Sequence, residues 1–439
     1  MRRPLSTAVR ASLLPALVLL ALPVMIAQGG GGAGGGQPMP IVIKAARVLD
    51  GRGKLLTNVV VTVQGSKITA IGPATARTPP ASYDLGDVTL MPGMIDVHVH
   101  IDWHFQPNGL YGFRPGQARE TPEQAAAAIQ KNLDATLQAG FTTVQALGSA
   151  GDKALREEIA AGTRTGPRIL SSLGQIIPRQ AQPAGTGRDG QPRAATTGDT
   201  PEMLRQQVQR LKANGADVIK IFASGSIRDG GKMSVTQEQL DAVCGEAKAQ
   251  GLRSLVHAHD SQSIIASVKA GCSQIEHGAY ADDAAIKVMK DANVYFDPNI
   301  GLVLQNYIEN KDKYMGSGNY NAEGFAFMEK AVSTLPPIFA KALKAGLRMP
   351  MGTDAVAGAH GQNAREIIAR VKDGGQKPMD AIVGATSLSA ESLRLGDTIG
   401  TLAVGYEADI IAVAGDPLKD ITALRNVKFV MKGGRVYKE

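Results

Sequence analysis

Pro92-Gly93-Met94-Ile95-Asp96-Val97-His98-Val99-His100 is the stretch on which the reading of this 439-residue chain turns. A Pro-Gly turn opens it, an apolar run follows, and two histidines one residue apart end it. Strand side chains alternate between faces, so His98 and His100 point the same way and can grip one cation. Two imidazoles on an apolar strand are costly to bury unless something engages them. Taken alone, the pattern fits two partly exposed histidines at a strand end equally well, so the remaining residues decide.

Beyond Gly93 the chain alternates strand-like and helical runs. Strand candidates are 94–100, 142–147, 168–173, 217–223, 253–258, 273–277, 294–297 and 347–353. Helical stretches at 122–139, 203–214, 237–250, 261–270, 282–292 and 328–345 combine strong helix formers with amphipathic spacing. Gly140, Gly215, Gly251, Gly271 and Gly346 each stand where a helix must stop before the next strand. Eight such alternations predict an α/β fold, a (β/α)8 TIM-like barrel whose site forms at the C-terminal strand ends. Short β-rich runs at 40–50, 59–64 and 67–72 are answered by 408–414, 427–432 and 435–437. They predict a composite β-sandwich domain built from 38–92 and 396–439, flanking a barrel at 93–395. The length suits one large barrel with such an accessory domain.

Residues 1–28 read as a secretory signal, with a basic Met1–Arg10 and an apolar run broken by Pro15 and Pro23. The glycine-rich 29–37 reads as a linker. Export to the periplasm or medium is expected, with no stable membrane anchor after cleavage. Three leader arginines account for 3 of the formal +7, leaving +4 for the rest. No basic run with interleaved aromatics follows, so nucleic acid is excluded as a partner. Cys244 and Cys272 lie among apolar residues and are expected as buried free thiols rather than a disulfide.

The reactive side chains fall at strand ends. His98 and His100 end the first candidate strand, His257 the fifth, His277 the sixth and Asp354 the eighth. Lys220 sits inside Val218-Ile219-Lys220-Ile221-Phe222, where an unpaired ammonium is expensive. Four imidazoles, a carboxylate and a lysine converging on one rim suit a divalent transition ion. Mg²⁺ and Ca²⁺ want oxygen ligands instead.

Together the motifs PGMIDVHVH (92–100), IKI (219–221), VHAHD (256–260), IEHG (275–278) and GTDA (352–355) resemble the metal-dependent amidohydrolase superfamily. The exported imidazolonepropionase-like and metallo-prolidase-like members are the nearest in pattern, and the tail at 399–436 matches as well. The resemblance implies two divalent metal ions, with Zn²⁺ the default. It puts one ion on His98, His100 and Asp354 and the other on His257 and His277. Lys220, as a carbamate formed with CO₂, bridges them. Either histidine of VHAHD suits the role; the 20-residue gap to His277 selects His257 and leaves His259 just outside the ligand set. The bridging lysine argues against imidazolonepropionase activity itself.

The implied reaction is hydrolysis of a C–N amide bond, with Asp354 as general base and then general acid. Dipeptides or N-acyl amino acids are the expected substrates. The alternative is ring opening of a cyclic amide of hydantoin, dihydropyrimidine or imidazolone type. A non-catalytic metal- or ligand-binding barrel, or an adhesive module, ranks lower because no ligand position is missing. Arg228 and Lys232 are candidate anchors for a substrate carboxylate. His360 and Tyr280 are further candidate substrate contacts. A homo-oligomer is compatible with the sequence, which does not specify one.

Overall fold

Ile41–Leu49 lies at the centre of a sheet that joins both ends of the chain. It pairs antiparallel with Leu55–Gln64 and parallel with Val88–Pro92 and Tyr83–Asp84. Val88–Pro92 then pairs antiparallel with Ile410–Ala414, and the sheet continues through Val427–Lys432 to Arg435–Lys438. Lys67–Pro73 forms the other edge. The sandwich expected from the sequence is, in hydrogen-bonding terms, one mixed sheet of eight strands. Runs such as Val59-Val60-Val61-Thr62-Val63 favour a pleated, half-buried surface. Ile43, Val48, Val61, Leu90, Ile410 and Phe429 supply its buried face.

These observations come from a computed structural model describing residues 39–73, 75–114, 118–181, 184–186, 192–193 and 196–439. The leader assigned to 1–28 and the linker at 29–37 lie outside the described residues. No described helix is long and apolar enough to cross a membrane.

Two parallel sheets carry the middle of the chain. One holds Met94–Val99, Phe141–Ala146 and Arg168–Ser171. The other runs Tyr295–Asp297, Gln274–Tyr280, Arg253–Asp260, Val218–Phe222 and Gln175–Ile176. Met94–Val99 and Phe141–Ala146 are buried throughout, as strands covered on both faces must be. Helices follow most strands. Pro122–Gln138 starts in a capping box between Thr121 and Gln124, and Gln237–Ala249 in another between Thr236 and Gln239. Gly140 ends the first of these turns at φ 88°, in a space where a Cβ would meet Ile411 Cδ1 at 3.0 Å.

Two expectations are corrected. The eighth expected strand, 347–353, forms only an isolated parallel bridge between Arg348 and Tyr295. Side chains take the place of a ladder there. Arg370 donates to the carbonyls of Met349 and Pro350, and Ser389 Oγ accepts from Met351 N. Pro350 has no N–H to offer a neighbouring strand. The second correction concerns the cysteines. Cys244, on helix Gln237–Ala249, is disulfide-bonded to Cys272, with Cα atoms 5.1 Å apart. Each looks like a small apolar core residue when read alone. Packing that helix beside the turn that follows helix Ser261–Lys269 and precedes Gln274–Tyr280 brings the two within bridging reach.

Candidate metal centre

Parallel strands put their C-terminal ends on one side, and the expected donors meet there. His98 Nε2 and His100 Nε2 lie 3.4 and 3.2 Å from Asp354 Oδ1. Lys220 Nζ is 3.4 Å from His98 Nε2. The His277 ring centre is 5.3 Å from that of His98 and 4.6 Å from that of His257. His259 stacks on His277 at 5.0 Å. All seven side chains line one cavity. Strand register explains part of this, since His257 stands opposite both Phe222 and Glu276 on its neighbours. Flat aromatic contacts fix two rings: Trp103 stacks on His100 at 4.4 Å and Phe222 on His257 at 4.3 Å.

Backbone strain concentrates at this rim. His277, Asn299 and Asp354 hold φ of 70°, 51° and 52°, a left-handed region rarely used by non-glycine residues. Asp96 holds the Asp354 turn in place. Its Oδ1 accepts from Thr353 N at 3.0 Å and His98 N at 3.1 Å. Its Oδ2 accepts from Thr353 Oγ1 at 2.6 Å and Asn363 Nδ2 at 2.7 Å. One acid therefore ties His98 to Asp354 across the sheet. Burial pushes Asp96 up to about 7, against the pull of these hydrogen bonds.

Burial also sets the charge of the donors. It pushes His98 and His259 down to about 3, and His257 and His277 well below the usual imidazole value. These four imidazoles are neutral at pH 7 and carry a lone pair for a cation. Burial lowers Lys220 as well, against the opposing pull of Glu276, Asp354 and Asp297. For Asp354 burial acts upward, but His98, His100 and Lys220 outweigh it and hold the carboxyl well below the usual range.

The ligand atoms of His98, His100 and Asp354 lie within 4.8 Å of one another. Neutral imidazole nitrogens, an ionised carboxylate and a lysine of weakened basicity fit divalent transition ions. A second close group, His98 with Glu276 and Asp297, lies deeper. Its carboxyl oxygens are already engaged. Glu276 meets His98 Nδ1 at 2.7 Å and accepts from Gln274 at 2.8 Å. Asp297 accepts from Arg370, Gly352 N and Asn299, each at 2.9 Å.

The expected substrate contacts separate. Arg228 is half-buried at the cavity wall. Its guanidinium lies 4.1 Å over the Tyr320 ring and 5.6 Å over Tyr307, and its Nε donates to Asn319 Oδ1 at 2.7 Å. The structure does not bring Lys232, Tyr280 or His360 to that wall. Lys232 is exposed and Tyr280 half-buried. His360 stands behind Trp103, with Nε2 3.2 Å from the Trp103 carbonyl, and burial pushes it down to about 4.

Sequence reasoning missed Asp96, Glu276, Asp297 and Arg370 as parts of the site. Glu276 carries the signal that exposed Lys220, a charge inside a buried strand. The Arg370 signal is weaker, because a basic residue on a helix usually faces water.

Comparison with known proteins agrees with this geometry. A sequence profile of the amidohydrolase family matches residues 89–437. The ochratoxinase of Aspergillus niger is 29% identical over 427 residues, covering 90% of this chain and 86% of that protein. The structure of a Xaa-Pro dipeptidase with bound methionine superposes with a TM-score of 0.77 at 28% identity, covering 91% of this chain and 100% of the other. A prolidase complexed with N-methylphosphonate-L-proline gives a TM-score of 0.77 at 26% identity, with the same coverage. The chain belongs to the amidohydrolase family and is a hydrolase acting on carbon–nitrogen bonds.

Proposed function

We propose that this enzyme is a binuclear, metal-dependent hydrolase of dipeptides or N-acyl amino acids. Arg228 is the observation that carries the substrate class. Its half-buried side chain lines the wall of the cavity that holds the donor cluster, and no described carboxylate forms an ion pair with it. A partly desolvated cation without a counter-ion favours an anionic group on the ligand. The names of the Xaa-Pro dipeptidase and prolidase relatives are in keeping with a small peptide substrate.

In this reading His98, His100 and Asp354 would hold one ion and His257 and His277 the other, both as Zn²⁺. Lys220, as its CO₂-derived carbamate, would stand between them, and His259 beside them. Bound there, the ions would supply a water of lowered pKa and polarise the scissile carbonyl. The chain's own residues do the rest. Arg228 fixes the substrate carboxylate, and Trp103, Phe222 and Leu304 restrict water at the wall. Asp354 starts ionised, accepts the proton of the attacking water and returns it to the departing nitrogen. Burial disfavours the ammonium form of Lys220 and so favours the free amine that combines with CO₂.

We also read the two parallel sheets as parts of one (β/α)8 barrel. Asp217 N donates to Ser171 O at 2.8 Å, while Arg348 bridges Tyr295 and Ala355 bridges Val99. These contacts support closure in both gaps. Export is proposed from the leader pattern, and the Cys244–Cys272 disulfide supports an oxidising compartment.

Metal analysis with a substrate screen tests the function. Purified protein is expected to carry close to two Zn²⁺ per chain, falling in Lys220→Ala. Chelation is expected to abolish hydrolysis of a dipeptide and N-acyl amino acid panel, and added Zn²⁺ to restore it. Full turnover after demetallation would reject the reading. Arg228→Ala is expected to raise KM for acidic amides by about 10- to 100-fold, the range for a hydrogen bond to a charged group. Amides lacking the carboxylate should respond little, and equal effects on both sets would remove Arg228 from substrate recognition.

A further inference from the structure

The ligand set leaves unexplained why a carboxylate should be buried directly behind a ligand. Glu276 is fully buried between Ile275 and His277, and its Oε2 lies 2.7 Å from His98 Nδ1. Gln274 Nε2 donates to its other oxygen at 2.8 Å. Next to it stands Asp297, whose oxygens accept from Arg370 Nη2, Gly352 N and Asn299 Nδ2. Arg370 Nε in turn donates to Glu366 Oε1 at 3.0 Å, and Glu366 accepts from Ile300 N and Gly301 N. The chain of contacts runs from His98 to helix Ala364–Lys372.

A neutral imidazole has one N–H and one lone pair, and the partner of one nitrogen decides which is which. With Glu276 ionised, its Oε2 can only accept, which puts the hydrogen of His98 on Nδ1, pointing at Glu276. Nε2 then presents its lone pair toward Lys220 Nζ and Asp354 Oδ1, both 3.4 Å away. We infer that Glu276 is a positioning residue that fixes the tautomer and ring orientation of His98, and is not itself a metal ligand. This rests on the metal site proposed above. An ion held by Glu276 and Asp297 would have to displace His98 Nδ1 and the Arg370 guanidinium from oxygens they already occupy.

The test uses the full chain. A ¹H–¹⁵N spectrum of metal-free protein, with His98 assigned by its absence in His98→Asn, reads the tautomer directly. The Nδ1–H form is expected near pH 7, and an Nε2–H form would overturn the inference. Adding Zn²⁺ should leave the Nδ1–H signal in place; its loss would put the ion between His98 and Glu276 and also overturn it. Glu276→Gln keeps the side-chain volume and is expected to weaken Zn²⁺ in chelator competition by about 10- to 100-fold. An unchanged affinity counts against the inference. Failure of the wild-type chain to take up Zn²⁺ would sink the metal reading itself, and the tautomer would then judge Glu276 alone.

Discussion

Asp354→Asn is expected to lower kcat by about 100- to 10,000-fold, the contribution typical of one positioned acid–base group. Asparagine matches aspartate in size and tolerates the left-handed φ of 52° that this position adopts. Asp96 holds the preceding residue through the backbone and hydroxyl of Thr353. The variant should therefore keep its shape while losing the ionised oxygen that faces His98 and His100. KM should change far less than kcat, because the lost interaction belongs to the transition state. Steady-state kinetics on the best dipeptide, with metal content measured on the same sample, decide the matter. A kcat within tenfold of wild type, at unchanged metal content, would take the proton-transfer role away from Asp354.

The largest expected loss of stability comes from Arg370→Leu, at about 3–5 kcal/mol, the usual result of breaking a buried ion pair on one side. Arg370 is fully buried, paired with Asp297 at 2.9 Å and Glu366 at 3.0 Å, and donates to two backbone carbonyls. Leucine leaves two acids facing each other in an apolar surround, and leaves Met349 and Pro350 without their donor. Adding Glu366→Gln to Arg370→Leu should recover part of the loss, because an uncompensated acid is then removed. Equilibrium denaturation of metal-free protein measures both variants. A loss below about 1 kcal/mol would show that the cluster relaxes around the vacancy.

Much of the centre is legible in the sequence because its signals are local. His98 and His100 reveal themselves by parity on a strand, and Lys220 by its charge inside an apolar run. Their meeting with Asp354 follows once the strands are read as parallel. Arg228 is legible as a cation near the rim, but its place in the cavity wall is not. Tyr307, Tyr320 and Asn319 lie some 79 to 92 residues further along and reach it only through tertiary packing. The same limit hides the Cys244–Cys272 bond, which depends on how a helix settles against the turn before Gln274–Tyr280. It hides the missing eighth strand as well. There Arg370 and Ser389, both distant in sequence, take hydrogen bonds that a pattern of alternating residues assigns to a ladder. Asp96 is the instructive omission. It stands inside the motif that organises the reading, yet its work is done on Thr353 and Asn363, more than 250 positions away.

The order of synthesis gives the shared sheet a consequence of its own. Val88–Pro92 pairs on one side with Ile41–Leu49 and on the other with Ile410–Ala414, and the Thr89 hydroxyl donates to the Gly415 carbonyl across 326 positions. A growing chain lacks the second of these neighbours until residues 410–414 have left the ribosome, and contacts this remote form late. Met94–Val99 continues directly from Val88–Pro92 after one glycine, so the support beneath His98 and His100 is finished last. A polypeptide built this way stays immature until its C-terminal strands are made.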